Sequence, residues 1–441
     1  MRGFGNNDRT NKKLTEKKVN GIQKDKLITN ALSLHSNGKI KEASEIYNFL
    51  IKNRFYDPRV LNNLGIIYSQ IKQFDKAILL FNESIKRFPT SIEAYSNLAS
   101  SLLIKGRKDE AKKILNKAIE LNPNNLKPYS ELAGIYVGEG DFKEAEVLLR
   151  KSVDINPKDV NTQVNLACVL RDLGNPKEAE KLLKNALEIN PIYEIALTNL
   201  GAVLNELEKI DEAEKYLRKA LHINPASPMT LNNLGNVLTG KKNNTEAELC
   251  YRKAIEINSD FSLAYNNLAS LLSRQGKLKE AEEFTEKAIF YNPKFELAYV
   301  NLGSIKIDLD KSLEAEELFL SAIKINKNYN YAYRNLFRLY EKTNNLSKLK
   351  TKIESLKEDK NIINEILMFK ARISFREKDF IMAKKLIDQV AKNWIKNTDH
   401  STNLLYWSFK AFIEEKVKNY DEAFKCFEKS QLNLKYEDCN P

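Results

Sequence analysis

Residues 264–288 read AYNNLASLLSRQGKLKEAEEFTEKA, and a closely similar stretch stands on either side of them. Moving back by 34 residues gives TLNNLGNVLTGKKNNTEAELCYRKA from Thr230, and moving forward by 34 gives AYVNLGSIKIDLDKSLEAEELFLSA from Ala298. A period of this length, with small and large apolar residues at fixed offsets, is typical of a two-helix repeat that stacks into a solenoid. One marker residue recurs at every step of 34, as Ala43, Ala77, Ala111, Ala145, Ala179, Ala213, Ala247, Ala281, Ala315, Leu349 and Ala383.

The spacing inside each unit predicts two amphipathic helices. We count positions from Ile92 and its equivalents, so that the marker is position 20. Each residue turns a helix by about 100°, and positions 4, 7, 8 and 11 therefore fall on one stripe. In this unit they are Tyr95, Leu98, Ala99 and Leu102. The second helix repeats the pattern with Ala111, Ile114, Leu115, Ala118 and Ile119. Each helix pair must bury its stripes against its neighbours.

Glycine and proline mark the ends of these helices. Glycine between the two helices predicts a residue in the left-handed conformation that ends the first helix. These glycines are Gly38, Gly106, Gly140, Gly174 and Gly276. Proline near position 32 blocks continuation of the second helix, at Pro89, Pro123, Pro157, Pro191, Pro225 and Pro293.

The residues of the unit that begins at Pro58 carry a family resemblance. Their pattern of Leu64, Gly65, Tyr68, Ala77, Phe81 and Ser84 resembles the tetratricopeptide repeat (TPR). The resemblance implies an all-α, right-handed superhelix of antiparallel helix pairs, with about 11 to 12 units. We expect a basic arm at 1–23, ten units at 24–363 with a degenerate tenth, and TPR-like helical units at 364–441. In the last of these units Trp407, Ala411, Ala423, Phe427 and Ser430 fit the pattern after a short insertion near 396–402.

Charge and composition set the expected location and partners. The net charge is +12, and the first 26 residues hold eight Lys or Arg against three Asp or Glu. Such an arm can bind an anionic partner or be a solvated tail, and the absence of a nucleic-acid motif argues against nucleic acid. No stretch resembles a signal peptide or a membrane span, and four scattered cysteines fit a reducing compartment. We therefore expect a cytoplasmic protein with no membrane span.

The sequence offers no set of residues for catalysis. Its three histidines are far apart, no cysteine spacing suits a metal, and no phosphate-binding loop follows a strand. Paired glutamates recur on exposed helix faces, where they solubilise the chain. We therefore expect a protein that is not an enzyme and needs no metal or cofactor.

Position 6 stands out because asparagine, a poor helix former, fills it in nearly every unit. Positions 2, 6, 9 and 13 lie opposite the core stripe, and in the superhelix that the resemblance implies this face lines the inner groove. An amide can donate and accept hydrogen bonds, which suits an extended peptide backbone; alternatively, the asparagines brace adjacent helices. The residues are Asn63, Asn97, Asn165, Asn199, Asn233, Asn267, Asn301 and Asn335, interrupted by Glu131.

The same face changes character in the unit that begins at Asn330. There Tyr331, Arg334 and Arg338 share one helix face with Asn335. Arginine beside tyrosine can bind a carboxylate or phosphate and stack on a ring. We include these residues in the predicted peptide-binding groove.

Two functions of different class follow. The first is a non-enzymatic scaffold that binds an extended segment of another protein in its groove. The second is based on residues 406–431, which resemble the helical unit that precedes the catalytic domain in bacterial TPR-sulfotransferases. A looser likeness exists to the asparagine-lined repeats of protein O-glycosyltransferases. On this second interpretation the chain is a targeting module whose catalytic domain is encoded elsewhere.

Overall fold

The computed structural model describes residues 21–356, 362–390 and 400–438. These residues form α-helices joined by short turns, and none of them lies in a β-strand. The all-α repeat fold is thereby confirmed. The helices belong to two compact units, of which the first ends at Ile223 and the second begins at Asn224.

The first compact unit pairs its helices in chain order. An odd-numbered helix is the first helix of each repeat and an even-numbered helix is the second. They are α1 (Gly21–Ser36), α2 (Ile40–Lys52), α3 (Pro58–Gln70), α4 (Phe74–Arg87), α5 (Ile92–Ile104), α6 (Lys108–Leu121), α7 (Leu126–Val137), α8 (Phe142–Ile155), α9 (Val160–Asp172), α10 (Pro176–Ile189), α11 (Glu194–Glu206) and α12 (Ile210–Ile223).

The second compact unit continues the alternation of first and second helices. It contains α13 (Pro228–Gly240), α14 (Asn244–Ile257), α15 (Ser262–Arg274), α16 (Leu278–Tyr291), α17 (Glu296–Asp308), α18 (Ser312–Ile325), α19 (Asn330–Lys342), α20 (Leu346–Ser355), α21 (Ile363–Arg376), α22 (Phe380–Ile387), α23 (His400–Lys416) and α24 (Tyr420–Asp438).

The first helices from α3 to α19 each begin at position 1 of the 34-residue unit. At α3 the cause is visible, because the Asp57 carboxylate accepts a hydrogen bond from the Arg59 backbone N–H at 2.9 Å and Pro58 fills the first helical position. The second helices end two residues before the prolines, as α4 does at Arg87 before Pro89.

The core of each repeat is built from the two stripes. Every marker residue from Ala43 to Ala383 is fully buried, including Leu349 of the shorter helix α20. Position 8 of the first helix faces position 24 of the second, and small residues there meet large ones. Gly303 faces Phe319 in this way, and Ala99 lies in one core cluster with Leu115. The size of one residue thus matches the space that the other leaves.

The turn between the two helices has a left-handed residue at the same place in each repeat. The five glycines predicted there have φ between +75° and +85°. Other repeats place a non-glycine residue in the same conformation, such as Lys72 at φ 60° and Glu208 at φ 59°. Glycine is therefore favoured at this turn but not required.

Two sequence expectations fall at the edges of the described chain. Helix α1 begins at Gly21, so that residues 1–20 of the basic arm lie outside the described residues. The insertion near 396–402 also lies mostly outside them, since α23 begins at His400. Beyond the insertion Ala411, Ala423 and Ser430 are buried, as their repeat positions require.

Candidate peptide-binding face

The asparagines at position 6 lie on the outer side of the first helices, away from the paired second helix. We call these eight residues the asparagine row. Asn165 is exposed and the other seven are partly exposed, whereas the residues that flank them at position 7 are buried. The row is Asn63, Asn97, Asn165 and Asn199 in the first compact unit, and Asn233, Asn267, Asn301 and Asn335 in the second.

In the first compact unit, the asparagines that form hydrogen bonds donate them within their own helix. Asn63 Nδ2 donates to the Arg59 carbonyl at 2.8 Å, and Asn199 Nδ2 donates to the Ile195 carbonyl at 2.9 Å. Asn97 and Asn165 have no side-chain hydrogen bond.

Asn199 also accepts a hydrogen bond from a thiol of the neighbouring first helix. Cys168 Sγ lies 3.4 Å from Asn199 Oδ1. Burial raises the pKa of the Cys168 thiol, so it stays protonated at neutral pH and can donate. This contact shows that Asn199 Oδ1 acts as an acceptor toward a group outside its own helix.

In the second compact unit, two asparagines of the row brace adjacent first helices. Asn267 Nδ2 donates to Asn232 Oδ1 at 2.9 Å and to Asn236 Oδ1 at 3.2 Å. Asn301 Nδ2 donates to Asn266 Oδ1 at 2.8 Å. The acceptors Asn232 and Asn266 are buried, so these bonds satisfy polar groups inside the stack.

The remaining two asparagines of this unit do not bridge helices. Asn335 Nδ2 donates to the Tyr331 carbonyl at 2.7 Å, and Asn233 has no side-chain hydrogen bond. A carbonyl oxygen can only accept, and therefore the Nδ2 group of Asn335 must be the one that points inward. Its Oδ1 atom is left as an acceptor, and the same holds for Asn63, Asn267 and Asn301.

Arg334 departs from the sequence expectation of an open groove residue. It is only 7% exposed, and its guanidinium lies 3.5 Å from the carboxylate of the fully buried Glu365. Its Nη1 donates to Thr402 Oγ1 at 2.7 Å, and Arg338 Nη2 reaches the same oxygen at 3.5 Å. Helices α21 and α23 supply these partners, and a buried carboxylate requires a cation. The Arg334 side chain thus contacts residues inside the second compact unit and does not face the open groove.

Tyr331 and Arg338 stay partly exposed on this face. The Tyr331 ring packs edge to face against Tyr329, with ring centroids 6.2 Å apart. Burial raises the pKa of Tyr329 to about 12, and its phenol therefore stays neutral beside Tyr331. The predicted group of four side chains is divided, since three of them border the open face and Arg334 lies beneath it.

The face of the first compact unit is open around α7, where glycines replace larger residues. A cavity of about 390 Å³ is lined by residues that include Ser100, Leu103, Glu131, Gly134 and Gly138. A second cavity of about 220 Å³ is lined by Gly134, Asn165 and Cys168, among others. A side chain added at Gly134 would meet no atom within 4 Å. This part of the row is accessible from solvent.

Sequence reasoning missed one row of residues that lines the same face. In the second compact unit, position 2 of the first helices is apolar at Met229, Leu263, Leu297 and Tyr331. The sequence contains the signal for these residues, because comparing position 2 from one unit to the next reveals them in the same way that comparing position 6 reveals the asparagine row.

Two properties of the described residues bear on the kind of protein. No helix within 21–356, 362–390 or 400–438 is long and apolar enough to cross a membrane. Within the same ranges, no group of three or more His, Cys, Asp and Glu residues could hold a metal ion.

Comparison with known families identifies the repeats. Five tetratricopeptide repeat models match the chain, at 28–92, 68–134, 102–167, 158–226, 192–260, 250–283 and 297–329. The chain belongs to the tetratricopeptide repeat proteins, a class of protein-interaction scaffold. A comparison with curated proteins finds no match.

Solved structures of the same class resemble the chain. A tetratricopeptide repeat protein from Parabacteroides merdae is 23% identical, with a TM-score of 0.48 over 56% of this chain and 98% of that one. YrrB, a TPR protein with an unusual peptide-binding site, is 26% identical, with a TM-score of 0.34 over 42% of this chain and 95% of that one. Yeast Tom70 is 15% identical, with a TM-score of 0.50 over 90% of this chain and 96% of that one. The likeness to Tom70 concerns the fold alone.

Proposed function

We propose that this protein is a non-catalytic scaffold whose first helices bind an extended segment of a partner protein through the asparagine row. One observation carries the proposal. Where the row amides form side-chain hydrogen bonds, their Nδ2 groups are bound inside the protein. The Oδ1 atoms of Asn267, Asn301 and Asn335 are thereby held in place as acceptors on the successive first helices α15, α17 and α19, and that of Asn63 on α3. Asn199 Oδ1 already accepts from Cys168. An extended peptide has backbone N–H groups that need such acceptors.

This arrangement combines the two roles that the sequence left open. The Nδ2 group of the amide donates the hydrogen bond inside the protein, and the Oδ1 atom would accept a hydrogen bond from the partner. Because the brace fixes the side chain in advance, less conformational entropy is lost when a partner binds. Each hydrogen bond would contribute about 0.5–1.5 kcal/mol net, so that affinity would grow with the number of repeats used.

The targeting-module alternative rests on the resemblance of residues 406–431 and on the looser likeness of the asparagine-lined repeats, and it stays a prediction. The same holds for the cytoplasmic location and for an anionic partner of the basic arm.

The test uses two asparagines of the first compact unit that have no side-chain hydrogen bond. Binders would be selected from a display library of random 12-residue peptides on the full chain. Their affinities would then be compared for wild type and for Asn97→Ala/Asn165→Ala. We expect the double variant to weaken binding at least about fivefold, which is the effect of two bonds of about 0.5 kcal/mol each. Its helicity should be unchanged or slightly raised, because alanine favours a helix.

A matched control replaces two exposed asparagines of second helices, Asn82→Ala/Asn116→Ala. This control should bind the selected peptides like the wild type. If the selected peptides bind the asparagine-row variant and the control equally well, the row does not bind peptides and the proposal fails. A failure to select any peptide would count against it in the same way.

A further inference from the structure

An apolar row runs beside the asparagines of the second compact unit. It consists of Met229 in α13, Leu263 in α15, Leu297 in α17 and Tyr331 in α19. Each residue stands four positions before an asparagine of the row, and residues four apart share a helix face. Met229 is 47% exposed, and the other three are partly exposed. We call these four residues the apolar row.

The equivalent position is mostly charged or polar in the first compact unit. Arg59, Glu93, Lys127 and Asn161 occupy position 2 of α3, α5, α7 and α9, and Ile195 of α11 is the one apolar residue among these five helices. The change to apolar residues is therefore not a requirement of the repeat itself. Packing of the helix pair does not explain Met229, Leu263 and Leu297 either, since position 2 points away from the core stripe. Tyr331 also packs against the core of the second compact unit.

The part of the face that positions 2, 6 and 9 form carries no charge over three consecutive first helices. Positions 2, 6 and 9 of α13, α15 and α17 hold only apolar, amide and hydroxyl side chains, although 29% of the chain is charged. Charged residues return at position 13, as Arg274 and Asp308. A charged side chain docked on this neutral face would lose water without gaining a partner. The face thus favours an uncharged ligand.

Helix spacing selects the conformation of that ligand. Packed helices lie about 8–10 Å apart. A polyproline-II segment rises about 3.1 Å per residue with three residues per turn, so its side chains repeat on one side about every 9 Å. A β-strand repeats on one side after two residues, at about 6.6–6.8 Å, and would drift out of step with the helices. One polyproline-II turn therefore fits each repeat.

We infer that the apolar row binds an uncharged segment of a partner protein in the polyproline-II conformation, with an apolar side chain at every third residue. This inference rests on the proposed function and adds the chemistry of the partner. The apolar side chains contact Met229, Leu263, Leu297 and Tyr331 in turn. Polyproline II has no internal hydrogen bonds, so its N–H groups are free to reach the Oδ1 atoms of Asn267 and Asn301.

The structure also sets where this segment ends. Beyond Tyr331, Arg334 is buried against Thr402 of α23, and the partly exposed Arg338 reaches the same Thr402 oxygen. Four first helices, from α13 to α19, are thus available, and at three residues per helix they accommodate about 12 residues of polyproline II.

The test measures fluorescence anisotropy of synthetic, end-capped, uncharged 12-residue peptides with the full chain. One peptide has leucine at every third position, with proline, serine and glutamine between. Two others have the same composition with leucine at every second position or clustered at one end. We expect the peptide with leucine at every third position to bind at least about tenfold more tightly than either of the others.

Protein variants connect this preference to the apolar row. Leu263→Asn/Leu297→Asn should reduce the affinity of the best peptide about tenfold or more. The control Leu249→Asn/Leu313→Asn replaces exposed leucines of second helices in the same unit, which are 52% and 77% exposed, and should leave binding unchanged. Helicity should be equal in both variants.

The outcomes separate this inference from the proposed function. Suppose that peptides bind and that Asn267→Ala/Asn301→Ala weakens their binding. If their affinity then depends neither on the leucine spacing nor on the substitutions in the apolar row, the inference is wrong and the proposed function stands. If the apolar-row variant instead abolishes self-association of the chain, the row contacts a second copy and the inference is overturned. If no peptide binds, both fail.

Discussion

Gly303 should tolerate no side chain, although it lies in the middle of helix α17. A Cβ atom at this position would lie 2.5 Å from Phe319 Cε1 and 2.9 Å from Cδ1. Carbon atoms in contact prefer about 3.5–4.0 Å, and the ring would have to move by about 1 Å. Phe319 is fully buried, so its ring would have to move against packed neighbours. Overpacking of this kind costs about 1–3 kcal/mol.

The gain in helix propensity partly hides this cost. Alanine is better than glycine in a helix by about 1 kcal/mol, so the net loss for Gly303→Ala is about 0–2 kcal/mol. Gly134→Ala is the matched control, because a Cβ there meets no atom within 4 Å. It should gain up to about 1 kcal/mol. The difference between the two variants, about 1–3 kcal/mol, isolates the overpacking.

A second substitution should rescue the first. Gly303→Ala combined with Phe319→Leu recreates the pair that Ala99 and Leu115 form in their own core cluster. We expect a favourable coupling of about 1 kcal/mol or more in the double-mutant cycle. Urea unfolding followed by circular dichroism measures it, fitted repeat by repeat because long arrays need not unfold in one step. Equal effects of Gly303→Ala and Gly134→Ala, or zero coupling, would refute the reasoning.

Three further predictions concern stability and can be measured by the same unfolding experiment. Arg334→Leu should cost about 3–5 kcal/mol, because it removes the cation that lies 3.5 Å from the carboxylate of the fully buried Glu365; adding Glu365→Leu should recover part of the loss, and a strictly additive double variant would contradict this. Glu208→Gly should stabilise by about 1 kcal/mol, since Glu208 has φ 59° and only glycine adopts this conformation freely; Gly174→Ala, at φ 79°, should lose a similar amount. Burial alone would raise the pKa of the Asp57 carboxyl, but the hydrogen bonds and charge of Arg59 outweigh it and the pKa is lowered. A lowered pKa gives stability that is present above the unfolded value of about 3.9 and is lost as the pH falls through the folded value. Asp57→Ala should therefore cost about 1 kcal/mol at pH 7 and less at pH 3, and a cost independent of pH would contradict the assignment.

Much of the fold could be predicted because its signals are local. The helix starts at Pro58 and Ile92 follow from the repeat register and from capping residues within a few positions. Left-handed residues such as Gly106 lie where a helix must stop, and the prolines stand just beyond the second helices. Even the match of Gly303 with Phe319 lies within one repeat, since both helices of a pair are close in sequence.

The candidate site could be predicted only in part. Helical periodicity placed the asparagines on the outer face, where the structure has them partly exposed or exposed. It did not distinguish Asn233, which has no side-chain hydrogen bond, from Asn267, which bridges to Asn232 and Asn236. The bridge requires an asparagine 35 residues away to present its oxygen, and only the packing of neighbouring first helices brings the two amides together.

Arg334 shows the same limit of prediction from sequence, for residues that are farther apart along the chain. By sequence it shares the outer face of its helix with Tyr331 and Arg338, and periodicity treats the three alike. Its burial depends on Glu365 and Thr402, of which Thr402 is 68 residues away in sequence. The sequence by itself determined the repeat, its helices and the direction in which each side chain leaves its helix. Only the tertiary structure decided which outward-pointing side chains are covered, because that depends on contacts between repeats and not on the period within one.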